Sequence, residues 1–289
     1  MRRLRTLFSL IRFSHTLFAL PWAIAGLFLG SHGWPERRVL LWVLVAMVGA
    51  RTAAMMWNRL VDRDIDATNP RTAGRPSVTG EVSPVQMGLA LAVAAGVFAF
   101  AAFMLNPLCG WLSLPTLLVL LGYSHTKRFT SLAHFALGIA LGLSPVGAYL
   151  AARGAFDADA LAAAALGAAV LFWTAGFDIF YACQDLDHDR REGLHSVPAR
   201  LGVARALDVA RLSHAFVPVA LAAAGFTADL GPLYWSGVVI VAGLLVWEHR
   251  LVRADDLSRV NQAFFQVNVM IAFVMMLATA TDVVIGAAS

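Results

Sequence analysis

Charge is scarce in this sequence. Asp, Glu, Lys and Arg make up 14% of it, against roughly a quarter of an ordinary soluble domain. Hydrophobic residues make up 59%, and the mean hydropathy is +0.70. That balance excludes a soluble enzyme and a disordered chain, and assigns the fold to a bilayer. Cysteine is nearly absent. Cys109 and Cys183 stand far apart and in no CxxC pair, which argues against a disulfide scaffold and a thiolate metal site. The eight histidines contain no HxxxH pair, so an imidazole-metal site has no support either. Lysine is reduced to Lys127, and the net charge of +4 is carried by arginine. In such a chain the excess speaks of membrane topology before nucleic acid, and no nucleic-acid partner is expected. The opening MRRLRTLFSLIRF lacks a small-residue cleavage site. It reads as a surface helix, with Leu4, Leu7, Phe8 and Ile11 at helical spacing and Arg2, Arg3, Arg5 and Arg12 placed for headgroups.

What is abundant is long apolar runs. Nine stretches approach the length of a bilayer-spanning helix: 13–31, 39–60, 84–104, 108–124, 131–151, 160–183, 212–228, 232–248 and 264–286. They are continuous and rich in Ala and Leu, so strands are excluded. The expected fold is all-α, one polytopic membrane domain over residues 1–289, with nine transmembrane helices around a central cavity. With the N-terminus in the cytoplasm, all of the 22 basic residues except Arg37, Arg38, Arg51 and Arg153 fall on the cytoplasmic side. Two polar loops on that side stand out, one from about Arg59 to Pro84 and one from about Cys183 to Arg211.

Both loops open on acids in helical register. Asn58, Asp62 and Asp66 are spaced i, i+4 and i+8, which puts them on one face, one turn apart. Tyr181, Asp185 and Asp189 repeat the spacing. Like charges so placed repel, and near a membrane the cost rises. A divalent cation relieves it, and oxygen ligands without His or Cys favour a hard ion such as Mg²⁺. Mg²⁺ held by one or two carboxylates usually takes phosphate oxygens as well. Arg63, Arg71, Arg75, Arg190 and Arg191 supply counter-charge in the same loops. Two acidic faces ringed by arginine make a diphosphate clamp, suited to departure of a diphosphate leaving group.

At these residues the chain resembles the UbiA superfamily of intramembrane prenyltransferases. The resemblance rests on Asn58-xxx-Asp62-xxx-Asp66 followed by NPRTAGRP, and on Tyr181-xxx-Asp185-xxx-Asp189. YSHTKR at 123–128, HTLFALP at 15–21 and GLHSVPARLG at 193–202 add to it, the last two resembling the 4-hydroxybenzoate polyprenyltransferase branch. The resemblance implies Mg²⁺ and a polyprenyl diphosphate held by Asn58, Asp62, Asp66, Asp185 and Asp189. It implies that Arg71, Arg75, Lys127, Arg128 and Arg12 neutralise the diphosphate or orient an acidic acceptor, and that Tyr123, Ser124 and Tyr181 lie near the reacting centre. Asp178, an acid deep in the sixth span, is a candidate acceptor-site or deprotonation group. The implied reaction is prenylation of a 4-hydroxybenzoate-like or dihydroxynaphthoate-like acceptor for ubiquinone or menaquinone. The implied location is a bacterial inner membrane, with the site facing the cytoplasm.

Other readings stay open at this stage. The acceptor could be a haem, a chlorophyllide or a lipid alcohol. The carboxylates could be transit ligands of a cation or metabolite transporter, or the chain a non-catalytic assembly partner. Asp64 and Asp187 fall off the shared faces. Arg51 is expected in a structural pairing, and the 249–256 segment in a solvated loop. Trp22, Trp34 and Trp111 are expected near span ends, and Trp57 beside the cavity. Gly138, Gly142, Gly147, Gly167 and Gly176 are expected at close helix contacts.

Overall fold

The computed structural model describes residues 16–288. Arg12 and the N-terminal amphipathic segment lie outside them. Each apolar stretch has become a helix: α1 (Thr16–Ser31), α2 (Arg37–Val61), α5 (Pro84–Leu105), α6 (Pro107–Thr126), α7 (Ala133–Arg153), α8 (Ala160–Ala182), α11 (Val203–Thr227), α12 (Pro232–Leu251) and α13 (Val260–Gly286). Short helices fill the two polar loops: α3 (Arg63–Thr68) and α4 (Pro76–Thr79) in the first, α9 (Leu186–Arg191) and α10 (Val197–Leu201) in the second. Among the described residues there are no strands, and seven helices are long and apolar enough to cross a membrane. The protein is an integral membrane protein. Within the described residues α1 offers only the shorter apolar stretch Phe18–Ser31, and α12, with Glu248, His249 and Arg250 in its last turn, is not among the seven.

The helices neighbour each other mainly in chain order: α2 packs on α5, α7 on α8, α8 on α11, and α1 closes against α7 and α13. Glycine sets the close crossing of α7 and α8. A Cβ at Gly138 would sit 2.4 Å from the Leu171 carbonyl oxygen, and one at Gly142 would sit 2.6 Å from that of Gly167. Only a bare Cα lets α7 and α8 approach so closely. Gly147 departs from the expectation, since it faces the cavity with nothing near.

Trp34 and Trp111 are exposed as belt residues should be, but Trp22 is fully buried against Trp173, their ring centroids 5.6 Å apart. The Pro-containing α1 is an inner helix, so its tryptophan serves the core. The 249–256 segment is also only partly a loop. His249 belongs to α12, and its Nε2 lies 3.1 Å from His214 Nδ1. Beside it α13 carries a π-helical stretch, Ala263–Val267. Asn268 donates to the Ala263 and Phe264 carbonyls at 3.2 Å and to Glu248 at 2.7 Å, while its Oδ1 accepts from Trp173 Nε1. A side chain that satisfies the displaced carbonyls stabilises the irregular turn.

Candidate active site

A cavity of about 700 Å³ runs through the bundle. One end is lined by Asn58, Asp62, Asp66, Asp185 and Asp189, and the walls beyond by Val43, Met47, Phe98, Leu105 and Leu112. Val43 and Asn58 are both on α2, fifteen residues apart, so the cavity extends about 22 Å along that helix. That is most of the roughly 30 Å thickness of a bilayer core. The cavity is polar at one end and hydrocarbon-like along its length.

The acids keep the helical register through breaks in the helix. Asp62 ends α2, yet its N–H still bonds the Asn58 carbonyl at 2.9 Å, and Asp66 N–H bonds Asp62 at 2.7 Å. In the second motif a 3₁₀ turn, Cys183–Asp185, joins α8 to α9. All five expected ligands therefore face one cavity, whereas Asp64 and Asp187 do not line it.

Each motif meets cations. Asp62 Oδ2 accepts from Lys127 Nζ at 2.7 Å and from Asn58 Nδ2 at 2.9 Å. Arg75 bonds both oxygens of Asp66 at 2.6 Å, with Arg59 at 3.7 Å. Arg71 reaches across from the first loop. Its Nε donates to Asp185 Oδ1 at 2.9 Å, a second nitrogen bonds Asp185 Oδ2, and the third donates to the Tyr181 hydroxyl at 2.7 Å. The guanidinium also lies 4.7 Å from the centroid of the Tyr181 ring. Asn69 shares the crossing, donating to Asp185 Oδ1 at 3.0 Å. Burial acts to lower the Arg71 pKa, but the hydrogen bond and charge of Asp185 and the neighbouring Tyr181 raise it overall. This cation stays charged.

Tyr123, Ser124 and Asp178 line the same cavity. Ser124 Oγ is 3.5 Å from Asn58 Nδ2, and Asp178 pairs with His134 at 2.7 Å. Arg63 and Arg128 do not line it. Arg63 donates to the Ser77 carbonyl at 3.1 Å and Arg128 to that of Val61 at 2.6 Å, with Arg128 3.5 Å from Asp62 Oδ1. Trp57 does not line the cavity; its ring lies tilted against that of His125, the centroids 5.7 Å apart. Residues not singled out from sequence also appear: Arg59, Asn69, Thr72 and His134, and Arg51 as a lining residue. Asn69 and Thr72 lie inside NPRTAGRP, so the motif held the signal for them. His134 had no local signal.

The donor chemistry suits a hard cation. Oxygen dominates the polar end, and Asp62 Oδ1 is buried without a hydrogen-bond partner. Among the described residues no three His, Cys, Asp or Glu side chains converge on one point. The residues fit an ion that takes one or two carboxylates from the protein and the rest of its shell from phosphate and water.

Fold and site together define an intramembrane helical bundle whose cavity joins an acid–arginine cluster to an apolar channel. Residues 19–276 match the model of the UbiA prenyltransferase family. A 4-hydroxybenzoate octaprenyltransferase of Aromatoleum aromaticum is 32% identical over 256 residues, 87% of this chain and 85% of that relative. The apo structure of a UbiA homolog from Aeropyrum pernix K1 has a TM-score of 0.84 at 32% identity, covering 93% of this chain and 98% of that one. A UbiA homolog from Archaeoglobus fulgidus bound to DMAPP and Mg²⁺ shares the fold, with a TM-score of 0.70 at 19% identity over 96% and 99% of the two chains. The chain belongs to the UbiA prenyltransferase family.

Proposed function

We propose that this protein transfers a polyprenyl group from polyprenyl diphosphate to a hydroxylated aromatic acid of the 4-hydroxybenzoate type, with Mg²⁺, in quinone biosynthesis. The observation that carries the reading is the joining of two acidic motifs, tied by Arg71 and Asp185, to a cavity of about 700 Å³ with a largely apolar lining. The relatives named for 4-hydroxybenzoate octaprenyl transfer support the acceptor class. The neighbour bound to DMAPP and Mg²⁺ supports the metal.

Asn58, Asp62, Asp66, Asp185 and Asp189 would hold Mg²⁺ with one or two carboxylates to an ion, and the metal when bound supplies charge to stabilise the departing diphosphate. Arg71, Arg75 and Lys127 neutralise the same oxygens, and Arg12 is proposed to join them. The apolar walls hold the prenyl chain and exclude water from the electrophilic carbon. Arg51, seven residues before Asn58 on α2 and lining the cavity with Tyr123, offers a guanidinium to the acceptor carboxylate. Tyr123 and Tyr181 bracket the reacting centre. On this reading the protein is a single domain of nine spans in a bacterial inner membrane; the basic-residue distribution supports an N-terminus in the cytoplasm and a site opening to that side.

The test is turnover in liposomes with Mg²⁺, labelled polyprenyl diphosphate and 4-hydroxybenzoate. A prenylated product is expected, lost with EDTA and with Asp66→Ala. Intact donor in the wild-type reaction, with the protein folded, overturns the reading.

A further inference from the structure

Asp178 stands on the cavity wall three residues before Tyr181. Its Oδ2 lies 2.7 Å from Nδ1 of His134, the second residue of α7. The other ring nitrogen, Nε2, accepts the backbone N–H of Val197 at 3.2 Å. A nitrogen that accepts an N–H is bare, so the proton of the neutral ring sits on Nδ1 and points at Asp178. Val197 opens α10, whose cap Ser196 accepts the Ala199 N–H at 3.2 Å, and His195 N–H donates to the Lys127 carbonyl at 2.7 Å. The segment after the second acidic motif is thus fastened to the turn between α6 and α7, and the imidazole is held at both nitrogens.

An imidazole committed on both sides has nothing left for a ligand. Its effect is on the carboxylate. Both residues line the cavity, but the His134 side chain is 5% exposed and that of Asp178 is 27%, so the acid presents the larger surface to what enters. One oxygen of Asp178 is taken by His134, and Oδ1 remains for the occupant.

We propose that His134 is a positioning residue that holds Asp178 oriented to take the hydroxyl proton of a phenolic acceptor. The proposal rests on the prenyltransferase reading above and deepens it. The hydroxyl proton passes to Asp178 Oδ1, and the O–H electron pair stays on the acceptor oxygen. A ring carbon beside that oxygen bonds to the prenyl C1 while the C1–O bond breaks, its electron pair leaving with the diphosphate. The ring proton passes to the released diphosphate, aromaticity returns, and Asp178 gives its proton back to the product oxygen.

The experiment compares wild type, His134→Leu and His134→Gln in liposomes with Mg²⁺, a polyprenyl diphosphate, and 4-hydroxybenzoate or a ring-fluorinated analogue. Glutamine can donate to Asp178 and accept from Val197, but cannot pass a proton between them. His134→Leu is expected to lower kcat about 10²-fold, with KM for the donor within about twofold, and His134→Gln to return within about fivefold of wild type. The more acidic fluorinated phenol needs its base less, so the gap between His134→Leu and wild type narrows by about tenfold. If His134→Gln is as impaired as His134→Leu, the ring itself carries a proton, and the proposal falls. It also falls if the gap is the same for both acceptors, the mark of a merely structural loss. Should His134→Leu fail to fold, as judged by thermal unfolding in detergent, Asp178→Asn takes its place and must show the same narrowing. A wild type that prenylates neither acceptor removes the prenyltransferase reading as well. A wild type that works beside unaffected His134 variants removes only this proposal.

Discussion

Replacing Arg71 by alanine tests the bridge between the two motifs. Arg71 gives Asp185 two hydrogen bonds and Tyr181 one, with its side chain 30% exposed and that of Asp185 15% exposed. Removing one partner of a fully buried pair costs about 3–5 kcal/mol. This pair is partly solvated, which places it at the low end, about 3 kcal/mol, or roughly 10²-fold at 1.4 kcal/mol per decade. On the proposed reading that loss falls on kcat/KM for the polyprenyl diphosphate, measured from initial rates with varied donor and saturating acceptor. Arg71→Lys keeps the charge but cannot span two carboxylate oxygens, a phenol hydroxyl and an aromatic face at once, so about a tenfold loss is expected. Donor kcat/KM within about threefold of wild type in Arg71→Ala would refute the reasoning, because no bridge worth even 1 kcal/mol would then exist.

Gly142→Val forces a Cβ to within 2.6 Å of the Gly167 carbonyl and should destabilise the bundle by about 1–3 kcal/mol or more, read as a lower Tm in detergent. Gly147→Ala, with nothing within 4 Å, should leave Tm unchanged. Asn268→Leu strips donors from Glu248 and from two π-turn carbonyls. A loss of about 1–3 kcal/mol for each group left unsatisfied is expected, again as a fall in Tm. Asp64→Asn should keep donor turnover, since Asp64 is exposed and off the cavity, while Asp66→Asn should lose it.

The acids were legible because their signal is local. Four-residue spacing sets Asn58, Asp62 and Asp66 on one face whether or not the helix is perfect, and the main-chain bonds at the Asp62 junction preserve that register. Arg71 was legible as a cation near diphosphate, but its crossing to Asp185 was not, because it closes over 114 residues and depends on how two loops fold together. His134 shows the same limit more sharply. Nothing beside it in sequence marks it, and its partners lie 44 and 63 residues away. Trp22 and His249 misled in the opposite sense. Composition places tryptophan at interfaces and a His-Arg pair in a loop, but packing against Trp173 and His214 decides otherwise.

Acids close together near a membrane need opposite charge, and that need reads most simply as a metal ion. The geometry shows a second source within the chain. Asp62 has Lys127, Asp66 has Arg75, and Asp185 has Arg71, so three of the carboxylates are neutralised within the chain, by two arginines of the first loop and by the lysine that follows α6. On the proposed reading, a Mg²⁺-diphosphate arriving here does not add charge to an unpaired acidic surface. With the metal bound, the carboxylates would hold it and Lys127, Arg75 and Arg71 would turn to the phosphate oxygens, so that each broken ion pair would be replaced by another of like kind. Such an exchange keeps the desolvation cost low at each step. It also explains why acids and arginines are interleaved in both loops: a carboxylate site without its own cations would hold metal alone, and an arginine site without carboxylates would hold diphosphate alone.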